Sequence, residues 1–277
     1  MSDSTEPIAG TRRWADLPGP ELAARLTAES ILVLPTGAIE HHGPHLPLST
    51  DLVMAEALAE RIVDEAAAAG HDVWLLPALG ATKSDEHAWA PGTLWLSAST
   101  FAAVIADLGR AIATTRARTV LFYNGHGGNI APLNVALREL RRRFGFRTFL
   151  DGVRVPAGPD ELGFGIHGGH GETSLLMHLR PELVQPSAFE RAVPEGIADF
   201  DRIGFAGRPV QFGWLSDDFE RAGVITGGER MRGVVGDPTT ATAEAGAALA
   251  GALVAEGVAT IAEIARWPIG AIEPEGA

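Results

Sequence analysis

A chain of 277 residues, 46% hydrophobic and 21% charged, has the make-up of a globular protein with a large core, and α/β chains of this size commonly fold as one domain. Its formal net charge of −13, from 22 basic and 35 acidic residues, argues against nucleic acid or an anionic membrane as partner, since either needs a basic face. The absence of cysteine rules out disulfides, thiolate nucleophiles and sulfur metal sites.

The polar start, Met1-Ser2-Asp3-Ser4-Thr5-Glu6, has no basic region ahead of an apolar run, and no apolar stretch of transmembrane length follows. A cytoplasmic protein is expected. Ile31-Leu32-Val33-Leu34-Pro35 is a short apolar run of the kind that forms a buried strand. Leu52 to Ala69 is alanine-rich with apolar residues at helical spacing, opened by Ser49-Thr50-Asp51 and closed by Gly70, which predicts a helix. The alternation continues with a strand at 73–76, a helix at 99–116, a strand at 119–123, a helix at 130–144 and a strand at 147–150. This rhythm predicts an α/β fold, a parallel sheet with helices on both faces. Arg141-Arg142-Arg143 falls near the end of one predicted helix, where cations complement the macrodipole and face water.

Beyond Asp151 come a glycine-rich loop at 163–171, a short helix at 173–179 and an irregular stretch from Pro181 to Gly236 carrying Phe200, Phe205, Phe212, Trp214 and Phe219. A stretch this long inside a compact domain serves as a lid or a subunit contact. An alanine-rich helix from about Thr239 to Ile264 closes the chain. Residues 1–277 are expected to form one domain, with 1–10 and 268–277 loosely held.

Ligands of open α/β sheets bind beyond the carboxyl ends of the strands, and two such ends carry ligand-type residues. The first strand runs into Glu40-His41-His42-Gly43-Pro44-His45; if the extension stays strand-like, Glu40 and His42 point to one side. Asp51 opens the next helix, as a plain cap or as a ligand. The third strand ends in Asn124-Gly125-His126-Gly127-Gly128-Asn129, a turn where backbone can approach a ligand closely. That loop lacks both the G-x-G-x-x-G spacing and the G-K-[ST] ending of nucleotide sites. His167-Gly168-Gly169-His170-Gly171-Glu172 supplies a further carboxylate, which on its own is no more than a favourable first-turn charge.

The coincidence of these residues at one sheet edge points to a metal cluster of Glu40, His42, Asp51, His126 and Glu172. Oxygen and nitrogen ligation without sulfur suits zinc, manganese or iron. Two divalent ions against the three carboxylates would leave one positive charge, which a bridging hydroxide would neutralise; coordination lowers the pKa of water from about 15.7 to about 7. Asp51, with two oxygens, is the natural bridge.

Glu40-His41-His42-Gly43-Pro44-His45-Leu46-Pro47-Leu48-Ser49-Thr50-Asp51 resembles the E-x-H-G-x-H-x-P-x-x-T-D signature of the creatininase family of metal-dependent amidohydrolases. Ser84-Asp85-Glu86-His87 with Pro91-Gly92-Thr93, the two histidine loops above, and Gly233-Val234-Val235-Gly236-Asp237-Pro238 resemble four further family elements in order, over roughly 31–266. The resemblance implies a three-layer α/β/α sandwich with a mainly parallel central sheet, often assembled as a homo-oligomer, a hexamer. It implies two divalent ions per chain (Zn, Mn or Fe), one held by Glu40, Asp51 and His126 and the other by His42, Asp51 and Glu172. It also makes His167 the proton donor to the leaving nitrogen and Glu172 part of the catalytic set.

Creatininase itself carries a metal-binding Glu where this chain has Gly128, and Gly163, Phe164, Gly165 and Ile166 occupy the stretch where creatinine-recognising Trp and Glu are expected. The implied activity is therefore hydrolysis of a non-peptide C–N bond in a cyclic or linear small-molecule amide, with a weakened case for creatinine as that substrate. Alternatives are a peptidase like the one that trims the mycofactocin precursor, a formamide deformylase of the same family, and a non-catalytic metal-binding protein. His45 and His87 are expected to contact ligands or substrate rather than metal. Lys83, the only lysine, is explained by an arginine-biased composition, with contact to a substrate anion as the alternative.

Overall fold

The computed structural model describes residues 10–275 except 198–199, 201 and 205–208; Phe205 lies outside the described residues. Four strands, β1 (Ile31–Thr36), β2 (Val73–Leu75), β3 (Thr119–Asn124) and β4 (Arg147–Gly152), form one parallel sheet in the order β2-β1-β3-β4. Before, between and after them lie α1 (Gly19–Arg25), α2 (Thr50–Ala68), α3 (Ala98–Ile112), α4 (Ile130–Phe144), α5 (His170–Leu179), α6 (Asp218–Ala222) and α7 (Ala243–Arg266), with a small ribbon of β5 (Ile203–Gly204) and β6 (Val210–Gln211).

Continuous apolar strands make sense because both faces are covered. Residues alternate across a strand, so Ile31 and Val33 join Leu121 and Tyr123 in a core shared with α2, α5 and α7. Leu32 and Leu34 join Val120 and Phe122 in a second core, shared with α1, α3 and α4. The three layers expected from the sequence follow from this pattern. The chain leaves β1 toward β2 on one side and leaves β3 toward β4 on the other. Such a reversal opens a crevice beyond the carboxyl ends of the two central strands, and the site lies there.

Local chemistry explains where element bounds differ from those predicted. The seven residues of α1, opened by Pro20, are too few to show helical periodicity. The helix expected to reach 116 stops at Ile112, because the Thr114 and Thr115 hydroxyls donate to the carbonyls of Ala111 and Ile112, each at 2.8 Å. The closing helix starts at Ala243, where the Thr242 hydroxyl accepts the Ala245 N–H at 3.0 Å, while Asp237 caps a separate turn through Thr239 N–H. Contrary to the expectation that no apolar stretch of transmembrane length follows the N-terminus, α7 matches a membrane span in length and apolarity; Gly246, Ala250, Leu253, Val254, Gly257, Ile261 and Ile264 are nonetheless buried at helical spacing against α2 and α5. The basic run has partners besides water: Arg141 donates to the Gly270 carbonyl at 3.1 Å, and Arg142 pairs with Glu139 and Glu275.

Candidate metal centre

The start of α2 is pressed against the ends of β1 and β3. A side chain at Gly37 would fall 2.4 Å from Leu52 Cα, and one at Gly125 2.6 Å from the Asp51 carbonyl oxygen, so the two glycines permit the approach that carries Asp51 into the crevice. A buried amide network fastens the neighbouring loops. Asn129 donates to the carbonyl of Gly37 at 3.0 Å and to Asn124 Oδ1 at 3.2 Å, Asn124 donates to the carbonyl of His126 at 2.6 Å, and the Thr82 hydroxyl donates to Gly37 at 2.6 Å. These bonds use the asparagines at both ends of the 124–129 loop.

Strand geometry is not what brings Glu40 and His42 together, since β1 ends at Thr36. The chain instead folds back on itself: Glu40 N–H donates to the Leu48 carbonyl at 2.8 Å, and His42 Nδ1 donates to the carbonyl of Glu40 at 3.2 Å. That leaves His42 Nε2 aimed at Asp51 Oδ1 (3.3 Å), Glu172 Oε2 (3.8 Å) and Glu40 Oε1 (4.0 Å). His126 mirrors it, with Nδ1 at 3.0 Å from Asp51 Oδ2 and 3.3 Å from Glu40 Oε2. All five predicted ligands are buried and meet in one cluster, and Asp51 serves as a bridge between imidazoles instead of a helix cap.

The donor set fits divalent ions. Donors about 2.1 Å from one ion stand roughly 3.0–3.9 Å apart at angles between about 90° and 135°, which is the range of nearly all these separations. His42 Nε2 and Asp51 Oδ2 are buried with only lone-pair-bearing ring and carboxylate atoms close by and no well-aligned hydrogen bond, an arrangement that either a cation or a proton on the imidazole must satisfy. His42, Asp51 and Glu172 form one grouping close enough to share an ion; Glu40, His126 and Glu86 form a second, and Glu40, His42 and His167 a third.

His167 Nε2 donates to the His41 carbonyl at 2.6 Å and turns Nδ1 toward Glu40 Oε1 at 3.7 Å. Backbone pairing with Val235 in both directions holds its loop, which gives the fifth motif its place. His45 donates to the Gly168 carbonyl at 2.9 Å, and His87 Nε2 approaches Glu40 Oε1 at 3.5 Å. Trp214, from the long irregular stretch, stands over both rings, 5.7 Å from His87 and 6.1 Å from His167.

Three residues escaped sequence reasoning. The Ser84 hydroxyl donates to Glu40 Oε2 at 2.5 Å. Glu161, fully buried, accepts backbone N–H groups from Gly158, His170 (2.8 Å) and Asp237 (2.6 Å), pinning the Glu172 loop to the fifth motif. Nothing in the sequence around Glu161 marks that role. Glu86 sits inside a motif that was seen, but with no role attached.

Burial works against a charge on His42, but Asp51, Glu172 and Glu40 push its pKa up to about 9. Burial, the largest single effect, likewise works against a charge on His126, but Glu40, Asp51 and Glu86 together hold it well above the usual imidazole range. Burial raises Glu172 to about 7, and burial with the neighbouring His42 holds His167 well below its ordinary value. Without metal, protons on His42 and His126 thus stand in for cations among the carboxylates. Their contribution to stability, for His42, is complete below pH 6.5 and is lost as pH rises through about 9. Loading with zinc at pH 8 is expected to release at least about two protons per chain, those of His42 and His126, fewer as pH rises past 9. Calorimetry in buffers of different ionisation heat measures this, and loading with no proton release contradicts the assignment.

The creatininase family profile, creatinine amidohydrolase, matches residues 15–261. The mycofactocin precursor peptide peptidase of Mycobacterium tuberculosis is 33% identical over 241 residues, 85% of this chain and 85% of its own. The creatinine amidohydrolase of Pseudomonas putida is 32% identical over 187 residues, 59% of this chain and 70% of its own. A solved creatininase described as the manganese form superposes with a TM-score of 0.70 at 26% identity, covering 94% of this chain and all of that one. The profile match across most of the chain, together with these relatives, makes this protein a member of the creatininase family of hydrolases.

Proposed function

We propose that residues 1–277 form one dinuclear metal-dependent amidohydrolase domain that cleaves an amide C–N bond. The observation that carries this reading is Asp51, whose two oxygens each face a different buried imidazole. Glu40, Asp51 and His126 would hold one divalent ion and His42, Asp51 and Glu172 the other, with zinc, manganese or iron as candidates. Bound there, the ions supply Lewis acidity and a lowered pKa for water.

The chain's own residues then handle protons and water. Neutral His167, its Nε2–H fixed on the His41 carbonyl, has Nδ1 free to take a proton from the attacking water and deliver it to the leaving nitrogen. The His41 carbonyl stabilises the imidazolium between those two steps. Glu172, held by Gly168 N–H at 2.6 Å, faces the same space. Trp214 limits access of bulk water.

The motif resemblance favours a non-peptide amide. A peptide bond is the second reading, favoured by the longer match to the mycofactocin precursor peptide peptidases than to creatinine amidohydrolase. A cytoplasmic location and a homo-oligomer, supported by composition and resemblance, complete the proposal. The test is hydrolysis by metal-loaded protein of creatinine, linear and cyclic amides, formamides and short peptides. Turnover of an amide class other than creatinine is expected; no turnover of any class by fully loaded protein contradicts the proposal.

A further inference from the structure

Glu86 is buried beside the cluster, and its two oxygens face different partners. Oε1 lies 3.2 Å from His126 Nε2, and Oε2 accepts from Lys83 Nζ at 2.8 Å. Lys83 also reaches Asp85 at 2.9 Å, so the only lysine in the chain is committed to carboxylates of its own turn rather than offered to a substrate. The pair Lys83–Glu86 is neutral and leaves three carboxylates to balance the ions.

The two nitrogens of His126 look in opposite directions. Nδ1 faces Glu40 and Asp51, while Nε2 faces two acceptors, the Lys83 carbonyl at 2.9 Å and the Glu86 carboxylate. An imidazole offers a lone pair from one nitrogen when its hydrogen is held at the other. Two acceptors at Nε2 fix the hydrogen there.

Gly128 makes this possible. A side chain at that position would fall 2.1 Å from Glu86 Oε1, 2.4 Å from His126 Nε2 and 2.8 Å from the Lys83 carbonyl. The departure from creatininase at Gly128 thus opens the space into which the Glu86 carboxylate reaches.

We propose that Glu86, neutralised by Lys83 and admitted by Gly128, is a positioning residue that holds the His126 ring with Nδ1 presented to the metal centre. The inference rests on the reading of His126 as a ligand. It makes Glu86 a support for a ligand and not a ligand itself, even though Glu40, Glu86 and His126 lie close enough to share an ion.

The experiment is calorimetric titration of metal-free protein with zinc, for the parent chain and for Glu86→Gln, Glu86→Ala, Gly128→Ala and the Gly128→Ala/Glu86→Ala double variant, each checked for fold by circular dichroism. Expected is unchanged stoichiometry in every variant, with affinity at one site weakened on the order of 10–100-fold in Glu86→Ala and Gly128→Ala. Glu86→Gln, which keeps an acceptor oxygen, should lose less; because a side chain at Gly128 also crowds His126 Nε2 directly, the double variant should be no weaker than Gly128→Ala alone if the Glu86 contact is already lost there. Loss of one ion in Glu86→Gln would make Glu86 a ligand and overturn the proposal, as would unchanged affinity in the Glu86 variants. Should Gly128→Ala not fold, the Glu86 pair still decides the matter. His126→Ala separates the two layers: unchanged zinc content there would remove the ligand reading itself, whatever the Glu86 variants do.

Discussion

Asp51→Asn is expected to empty both metal positions and to lower turnover roughly a thousandfold. Asp51 approaches both imidazoles most closely, at 3.3 Å from His42 and 3.0 Å from His126, so its loss is felt at both positions; Glu40 also reaches both but lies 4.0 Å from His42, and Glu172 contacts only the His42 side. Asparagine keeps the shape but replaces one acceptor oxygen with an N–H donor, aimed at a place that calls for a lone pair. The magnitude follows from the several kcal/mol of transition-state stabilisation that a metal contributes, at about 1.4 kcal/mol per tenfold in rate. Metal content by elemental analysis and kcat on whichever amide is turned over provide the check. Retention of both ions in a folded Asp51→Asn protein would end the bridging role.

His167→Ala should act in the opposite manner, keeping both ions while kcat falls by on the order of 10²–10⁴, the usual contribution of a general acid–base group. The grounds are that its Nε2–H is committed to the His41 carbonyl and that burial among His42 and His87 keeps it neutral, ready to accept a proton before giving one. The grouping of His167 with Glu40 and His42 offers the competing role of ligand. An ion lost from His167→Ala would assign it that role, and full turnover with both ions present would leave it no part in the chemistry.

The layered sheet was legible because continuous apolar strands alternating with alanine-rich amphipathic segments admit few architectures, and the topology rule then placed Glu40, His42 and His126 at one edge. The five proposed ligands could be named for a second reason: each stands at the junction of a strand or loop with glycine or a helix start. The reasoning behind one of them was wrong in detail. Glu40 and His42 converge through a loop that bonds back to Leu48, not through an extended strand.

What the sequence hid depends on contacts between distant segments. Glu86 is separated from His126 by 40 residues of chain, and no local pattern announces that Gly128 makes room for it. Glu161 gathers backbone N–H groups from three segments, a role that belongs to burial and not to composition. The long stretch from Pro181 to Gly236 shows no periodicity, yet Trp214 brings it over His87 and His167. That contact accords with the lid reading for this part of the stretch, while Phe200 and Phe212 are exposed.

Metal stoichiometry tests the central claim most directly. The protein, purified gently and remetallated with zinc or manganese, should hold about two divalent ions per chain by elemental analysis, and Glu172→Ala and His126→Ala should each hold fewer. No bound metal after remetallation, or unchanged content in both variants, would contradict a metal centre built on these residues.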